Sequence, residues 1–203
     1  MIPRRLIRTV PAGVTKEADD LWNVARVLHP TWDLVTFRDP IDPEPFPFTR
    51  DYWPMCKTGA QLAGLVRLEA LWHLGGIYID SDVRVVQALD PFLSDECFAA
   101  WEDENTVPDA VIGAAREHPV IMQCLDLALY RLATGSANDW RTGSGAWATG
   151  PGVTTTVLPF ADGVTLYDPI TFFPIHYSQK ERLVDFVPTR ETYGIHLWKG
   201  SWL

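Results

Sequence analysis

The chain alternates short apolar runs with longer segments in which apolar residues recur at helical spacing. Short apolar runs bounded by turn residues predict strands, and the periodic segments predict helices. The predicted strands cover residues 6–10, 32–37, 77–80, 83–86, 98–101, 111–114, 164–167 and 194–198. The predicted helices cover residues 15–28, 60–74 and 119–132. Because strands and helices alternate, the pattern predicts an α/β three-layer sandwich with a mostly parallel mixed sheet.

The segment 60–74 is apolar almost all round, which predicts a buried helix. Gly75 and Gly76 follow it and can adopt the positive φ that ends a helix. Residues 39–54 are rich in proline and residues 142–151 in Gly, Ser and Thr, so both stretches are predicted to be loops. The length of 203 residues fits one domain over residues 1–203.

Charge and cysteine content narrow the function classes. Lys plus Arg number 17 against 26 Asp plus Glu, and the net charge of −9 disfavours a nucleic-acid or anionic-membrane partner. Cys56, Cys97 and Cys124 lie far apart and form no CxxC pair, which predicts free thiols in a reducing, cytoplasmic compartment. We expect neither a signal peptide nor a transmembrane segment, because no sufficiently long apolar run occurs.

The triplet Asp80-Ser81-Asp82 follows a predicted buried strand. Ligands of open α/β sheets gather at the carboxyl ends of strands. If the backbone stays extended, Tyr78, Asp80 and Asp82 share one face of that strand. Two neighbouring carboxylates repel unless a cation lies between them, and a divalent ion bound to substrate phosphates fits this pattern. The alternative is a solvated, Asp-rich strand end.

Three further groups are candidates, each with a structural alternative. Arg67 lies among small residues of its helix and could hold phosphate or sugar hydroxyls, or could pair with a buried acid. Strand alternation places His196 and Trp198 on one side, where His196 could ligate a metal or could be a core histidine. The acids 102–104 could flank an acceptor site or form a solvated turn.

Together these residues resemble a known family. The segments Ala63-Gly-Leu-Val-Arg67 and Gly75-Gly-Ile-Tyr78-Ile-Asp80-Ser-Asp82 resemble the Ser/Ala-Asp-x-x-Arg…Gly-Gly-x-Tyr-x-Asp-x-Asp signature of the DXD-type glycosyltransferases of family thirty-two. The C-terminal His196-x-Trp198-x-x-Ser201-Trp202 resembles the His-x-Trp-x-x-Ser-Trp of the same family. That group includes mannosyltransferases and capsular polysaccharide enzymes.

The resemblance implies a GT-A-like fold and retaining transfer of a hexose-type sugar. The donor would be a UDP- or GDP-sugar, the acceptor a carbohydrate or protein, and the cofactor Mn²⁺ or Mg²⁺. The implied metal ligands are Asp80, Asp82, His196 and Ser201. The implied donor-binding residues are Val10, Gly64, Arg67, Tyr78, Asp80, Ser201 and Trp202. The implied catalytic residues are Asp80, Asp82 and Trp202, with Trp202 closing over the donor.

One position departs from the family signature. The acid that the family carries three residues before the Arg falls at Gly64. We expect open space beside Gly64, filled by water, by a larger sugar or by an acid from another segment. This departure favours a second interpretation, a non-catalytic nucleotide-sugar- or carbohydrate-binding protein with a glycosyltransferase-like fold. A phosphatase of the haloacid-dehalogenase type is disfavoured because Arg84 stands where its motif needs Thr or Val.

Overall fold

The computed structural model describes residues 1–135 and 146–200. The strands are β1 (Arg5–Val10), β2 (Asp33–Arg38), β3 (Gly76–Ile79), β4 (Val83–Val85), β5 (Cys97–Ala100), β6 (Val111–Ala114), β7 (Val164–Tyr167) and β8 (Gly194–His196). The α-helices are α1 (Lys16–Leu28), α2 (Gly59–Leu74), α3 (Pro119–Thr134) and α4 (Pro151–Val157). Short 3₁₀ helices include Arg50–Met55 and Tyr177–Val184.

Six strands form the central sheet in the order β2-β1-β3-β6-β5-β7. The β1–β2, β1–β3 and β5–β7 pairs are parallel, whereas β6 runs antiparallel to both β3 and β5. The predicted mostly parallel mixed sheet is therefore confirmed. A separate pair, β4 with β8, is antiparallel and joins the C-terminal part of the chain to the segment after β3.

The sheet separates two apolar clusters because successive side chains of a strand point to opposite faces. Ile7 and Tyr78 pack with α2 and α3 on one side. Leu6 and Ile77 pack on the other side with Trp22 of α1. Helices and small elements thus cover both faces, which confirms the predicted three-layer sandwich.

Helix α2 is buried as predicted, and it ends where the glycines permit a sharp reversal. Thr58 caps its first turn by accepting a hydrogen bond from the Gln61 N–H. Gly75 and Gly76 have φ of 60° and 125°, values that a residue with a side chain rarely adopts. The chain therefore enters β3 directly, and this fixes the position of everything that follows β3.

Several sequence-based expectations were wrong in detail. The proline-rich stretch 39–54 is not wholly irregular, because the 3₁₀ helix Arg50–Met55 begins in it. Helix α4 begins at Pro151, the last residue of the predicted loop 142–151. Strand β8 ends at His196 rather than at Trp198, whose φ is 55°.

Within residues 1–135 and 146–200, no helix is long and apolar enough to cross a membrane.

A buried carboxylate fastens the proline-rich stretch to α2. The Glu69 side chain is completely buried, and it accepts hydrogen bonds from the Phe48 N–H, the Thr49 N–H and the Thr49 hydroxyl at 2.6–3.0 Å. His73, one turn later, contacts the same carboxylate at 3.3 Å. The negative charge is thus surrounded by donors, as a buried charge requires.

We expect Glu69→Ala to lower the free energy of unfolding by about 2 kcal/mol or more, because it leaves buried donors of the loop without an acceptor. Urea unfolding followed by tryptophan fluorescence measures the change. Asp20→Ala is the control, because Asp20 forms an exposed pair with Lys16 and should matter little. Equal effects of the two substitutions would contradict this role of Glu69.

Candidate active site

Two acidic residues emerge side by side at one edge of the sheet. Asp80 follows β3 directly, and Asp109 lies just before β6, the antiparallel neighbour of β3. The Asp80 N–H donates to the Ala110 carbonyl at 2.8 Å, which continues the ladder by one bond. The antiparallel pairing therefore brings together two acids that are far apart in sequence.

The chain turns at Asp80 rather than continuing as a strand. The Val83 N–H donates to the Asp80 carbonyl at 3.0 Å, closing a tight turn. The expectation of extended backbone through Asp82 is therefore wrong, although the turn still brings the Asp82 carboxylate to the Asp80 side chain. This carboxylate accepts hydrogen bonds from the Lys199 N–H at 2.8 Å and contacts His196 Nε2 at 3.2 Å.

Asp80, Asp82 and His196 form a compact group of possible metal ligands. One oxygen of each acid and one ring nitrogen of His196 all lie within 4.8 Å of one another. The Nδ1 atom of His196 is buried and has no hydrogen-bond partner among the described residues. No contact at Nδ1 therefore fixes the tautomer in which Nε2 carries the proton. Carboxylate oxygens and a neutral imidazole are suitable ligands for a divalent ion, and the residues fit such an ion.

The two carboxyl groups have opposite pKa shifts. Burial raises the pKa of Asp80, and the nearby Arg67 charge offsets this effect only in part. Burial also acts to raise the pKa of Asp82, but the His196 and Lys199 contacts outweigh it, so the pKa of Asp82 is lowered. Asp82 is thus the more readily ionised of the pair.

Arg67 on α2 is clamped between the two acids that flank β3 and β6. Its Nη2 donates to Asp80 Oδ1 at 2.6 Å, and its Nη1 contacts Asp109 Oδ2. The guanidinium also lies over the Tyr78 ring, 4.3 Å from its centroid. Of the two sequence-based interpretations, pairing with a buried acid is therefore what the structure shows. The Arg67 side chain is only 6% exposed, so it offers little surface to a nucleotide-sugar.

Two of the residues predicted to bind the donor sugar nucleotide are buried. Tyr78 and Val10 have no exposed surface, and neither lines the cleft described below. The Tyr78 hydroxyl bonds Thr9 Oγ1 at 2.6 Å and donates to Asp80 Oδ1 at 2.9 Å. The Tyr78 hydroxyl therefore positions the Asp80 carboxylate.

The expectation of open space beside Gly64 is also wrong. A Cβ atom at Gly64 would lie 2.5 Å from the carbonyl oxygen of Thr149 and 2.8 Å from its hydroxyl. The Thr149 hydroxyl donates to the Gln61 carbonyl at 3.0 Å, which holds this approach. Gly64 therefore permits close packing of α2 and does not line the cleft.

The acids open onto a cleft of about 470 Å³. It is lined by Ala60, Ala63, Arg67, Asp80, Asp82, Glu102, Pro108, Asp109, Ala110, Gly150, Pro151, Tyr177, Lys180, His196, Trp198 and Gly200. Among these described residues, four carboxylates face two formal cations, Arg67 and Lys180. An anionic ligand therefore needs a further positive charge to bind here.

Glu102 is placed in the cleft wall, whereas its neighbours lie toward the surface. Its Oε1 accepts a hydrogen bond from the Tyr177 N–H at 3.2 Å and contacts His176 Nε2 at 3.3 Å. Asp103 contacts the same nitrogen of His176 at 3.3 Å. Burial raises the pKa of Glu102. The solvated-turn interpretation thus fits Glu104, which is exposed, but not Glu102.

Sequence reasoning missed Asp109, Tyr177 and Lys180. The only sequence signal for Asp109 was its position as an acid just before the apolar run 111–114. That position brings Asp109 beside Asp80 only because β6 runs antiparallel to β3. Two predicted residues, Ser201 and Trp202, lie outside the described residues.

Comparison with known proteins gives the site its context. Residues 19–99 match the family described as "glycosyltransferase sugar-binding region containing DXD motif". The matched region contains Arg67, Tyr78, Asp80 and Asp82.

Two curated relatives come from yeasts. The chain is 26% identical over 133 residues to mannosyl phosphorylinositol ceramide synthase SUR1 of Saccharomyces cerevisiae, covering 62% of this chain and 34% of the relative. It is 27% identical over 117 residues to inositol phosphoceramide mannosyltransferase 3 of Schizosaccharomyces pombe, covering 54% and 33%. The chain thus spans about a third of the length of these relatives.

Solved structures confirm the predicted GT-A-like fold. The PaToxG glycosyltransferase superposes with a TM-score of 0.62 at 16% identity, covering 77% of this chain and 69% of that one. The galactosyltransferase LgtC, in complex with donor and acceptor sugar analogues, superposes with a TM-score of 0.59 at 10% identity, covering 98% and 88%. The family match covers residues 19–99, and the solved structures show the fold of the chain.

We expect Gly64→Ala to destabilise the protein by about 1–3 kcal/mol, because the new methyl group meets backbone atoms of Thr149 that cannot easily move. This is opposite in sign to the gain that Ala gives in a free helix. Thermal and urea unfolding measure it. Gly13→Ala is the matched control, since no atom lies within 4 Å of its added Cβ. A Gly64→Ala protein as stable as wild type would contradict the close packing.

Proposed function

We propose that the protein is a metal-assisted retaining glycosyltransferase that moves a hexose-type sugar from a UDP- or GDP-sugar to a carbohydrate or protein acceptor. The proposal treats residues 1–203 as one glycosyltransferase domain. The observation that carries it is the Asp80–Asp82–His196 group on the wall of a 470 Å³ cleft. Asp80 and Asp82 lie within residues 19–99, which match the sugar-binding family.

The charges of the cleft support metal assistance. A nucleoside diphosphate is strongly anionic, and the described lining residues carry more carboxylates than cations. Asp80, Asp82 and His196 would hold Mn²⁺ or Mg²⁺, which would neutralise the charge that develops on the leaving diphosphate. The predicted fourth ligand, Ser201, stays part of the proposal.

The residues of the chain would divide the remaining work. In the transfer, the bond between the anomeric carbon and the diphosphate oxygen breaks, and the acceptor oxygen forms a new bond on the same face while its hydroxyl proton is released. Arg67 and Tyr78 fix the Asp80 carboxylate, and the Lys199 N–H fixes Asp82. Such fixed groups contribute to catalysis because they need no rearrangement during the reaction. Trp202 would close over the donor.

The reducing location stays a prediction. Cys56, Cys97 and Cys124 are all free, which is consistent with the cytoplasmic compartment expected from their spacing.

The yeast relatives are named as enzymes that act on ceramide lipids. Assays of acceptors should therefore also include a lipid-linked carbohydrate.

We expect UDP or GDP to raise the melting temperature in the presence of Mn²⁺ and much less in EDTA. At a ligand concentration of one hundred times Kd, the gain corresponds to about 2.7 kcal/mol. Asp82→Ala should remove the metal-dependent part of the shift, whereas Asp126→Ala, at an exposed position on α3, should keep it. Equal stabilisation with and without metal would contradict the proposed ion site.

Turnover separates an enzyme from a binding protein. A panel of nucleotide-sugars with Mn²⁺ should include at least one donor that wild type hydrolyses and Asp82→Ala does not. Metal-dependent binding of nucleotide-sugars without hydrolysis or transfer would instead support the non-catalytic interpretation.

The roles of Ser201 and Trp202 can be tested without disturbing β8. A chain that stops after Gly200 keeps the β4–β8 pair and the Lys199 contact to Asp82. We expect it to unfold at nearly the wild-type temperature in the absence of ligands, but to show a smaller nucleotide shift and at least tenfold lower donor hydrolysis. Full activity of this shortened chain would exclude both residues from the site.

A further inference from the structure

A row of aromatic rings runs along one wall of the cleft. This aromatic row consists of Tyr177, Trp198 and His196, which line the cleft, and of His176, which contacts Tyr177 but does not line the cleft. The ring centroids are 4.9 Å apart for His176 and Tyr177, 6.2 Å for Tyr177 and Trp198, and 4.0 Å for Trp198 and His196. The row therefore leads from the surface to the proposed metal ligands.

The ring of Tyr177 is exposed although it is large. It is 61% exposed and lines the cleft, and the 3₁₀ helix that carries it has no buried residue. Its backbone is held by Glu102, and the Trp198 indole N–H donates to the Ile175 carbonyl at 2.9 Å. The Trp198 ring is thus held by its own hydrogen bond and the Tyr177 backbone by Glu102, which lowers the cost of ordering this wall when a ligand binds.

Polar groups stand beside these rings. The Glu102 side chain is 8% exposed yet faces the cleft, and in the described chain only its Oε1 atom has partners. The Oε2 atom is therefore available as an acceptor for a ligand. Lys180 lies on the same wall and offers a donor. The exposed face of the Tyr177 ring next to a carboxylate and an amine matches a sugar ring, which has a C–H face and a hydroxyl edge.

We propose that this wall is the acceptor site and that it takes a neutral carbohydrate, whose ring stacks on Tyr177 while Glu102 accepts a hydroxyl hydrogen bond. The inference rests on the proposed function and names its acceptor class. Glu102 and Asp103 disfavour an anionic acceptor, because like charges repel across a cleft. A sugar stacked on the row would lie near His196, one of the proposed metal ligands.

The test measures how the enzyme divides a donor sugar between water and an acceptor. Methyl hexopyranosides serve as neutral acceptors, sugar phosphates as anionic ones and Ser/Thr peptides as protein ones, with the donor that wild type hydrolyses fastest. We expect transfer to the neutral glycosides. Tyr177→Ala should lower the ratio of transfer to hydrolysis at least tenfold, and Tyr177→Phe should stay within about threefold of wild type because stacking does not need the hydroxyl.

Tyr130→Ala is the matched control, since Tyr130 is 63% exposed but lies on α3 and does not line the cleft. It should leave the ratio unchanged. Glu102→Gln should raise the acceptor KM more than it lowers kcat. Transfer to peptides or sugar phosphates only, or an unchanged ratio in Tyr177→Ala, would overturn the inference.

A binding measurement keeps this inference separate from the proposed function. Saturation-transfer NMR on the methyl hexopyranosides needs neither donor nor metal, and Tyr177→Ala should lose the signal that wild type and Tyr130→Ala give. A protein that hydrolyses a donor but binds no neutral glycoside refutes the acceptor site alone. A protein that binds glycosides but no nucleoside diphosphate refutes the proposed function and leaves this wall as a carbohydrate-binding surface.

Discussion

The buried guanidinium of Arg67 holds the candidate site together. It bridges Asp80, which follows β3, and Asp109, which precedes β6, and it covers the ring of Tyr78. Two carboxylates at this depth would repel each other without a cation between them. The contact therefore ties α2 to the sheet edge, and the shape of the cleft floor depends on it.

The second constraint is the link between the Asp80–Val83 turn and the C-terminal segment. Asp82 accepts the Lys199 N–H and contacts His196, while the neighbouring β4 and β8 pair along their backbones. These contacts hold residues 194–199 against the turn. Here the same carboxylate both anchors the tail and stands among the proposed metal ligands, so fold and proposed chemistry share one group.

Gly64 stands at the position where the DXD-type signature that the chain resembles has an acid. The signature places an acid there, but in this chain the Thr149 backbone occupies that side of α2. Asp109 supplies the carboxylate that pairs with Arg67 instead. In this chain the carboxylate beside the guanidinium therefore comes from the segment before β6 and not from α2.

The sequence by itself determined the α/β class, the buried helix α2, the turn at Gly75 and the Asp80–Asp82–His196 candidates, because hydrophobic period and local motifs are encoded locally. It did not determine whether Arg67 faces a ligand or an acid, nor that Tyr78 is buried beneath Asp80. Arg67 contacts Asp109 because β6 runs antiparallel to β3, which brings Asp109 beside Asp80. The space beside Gly64 is closed because the Thr149 backbone packs there. Contacts between residues so distant in the chain exist only once the sheet has formed, so the tertiary structure alone decided them.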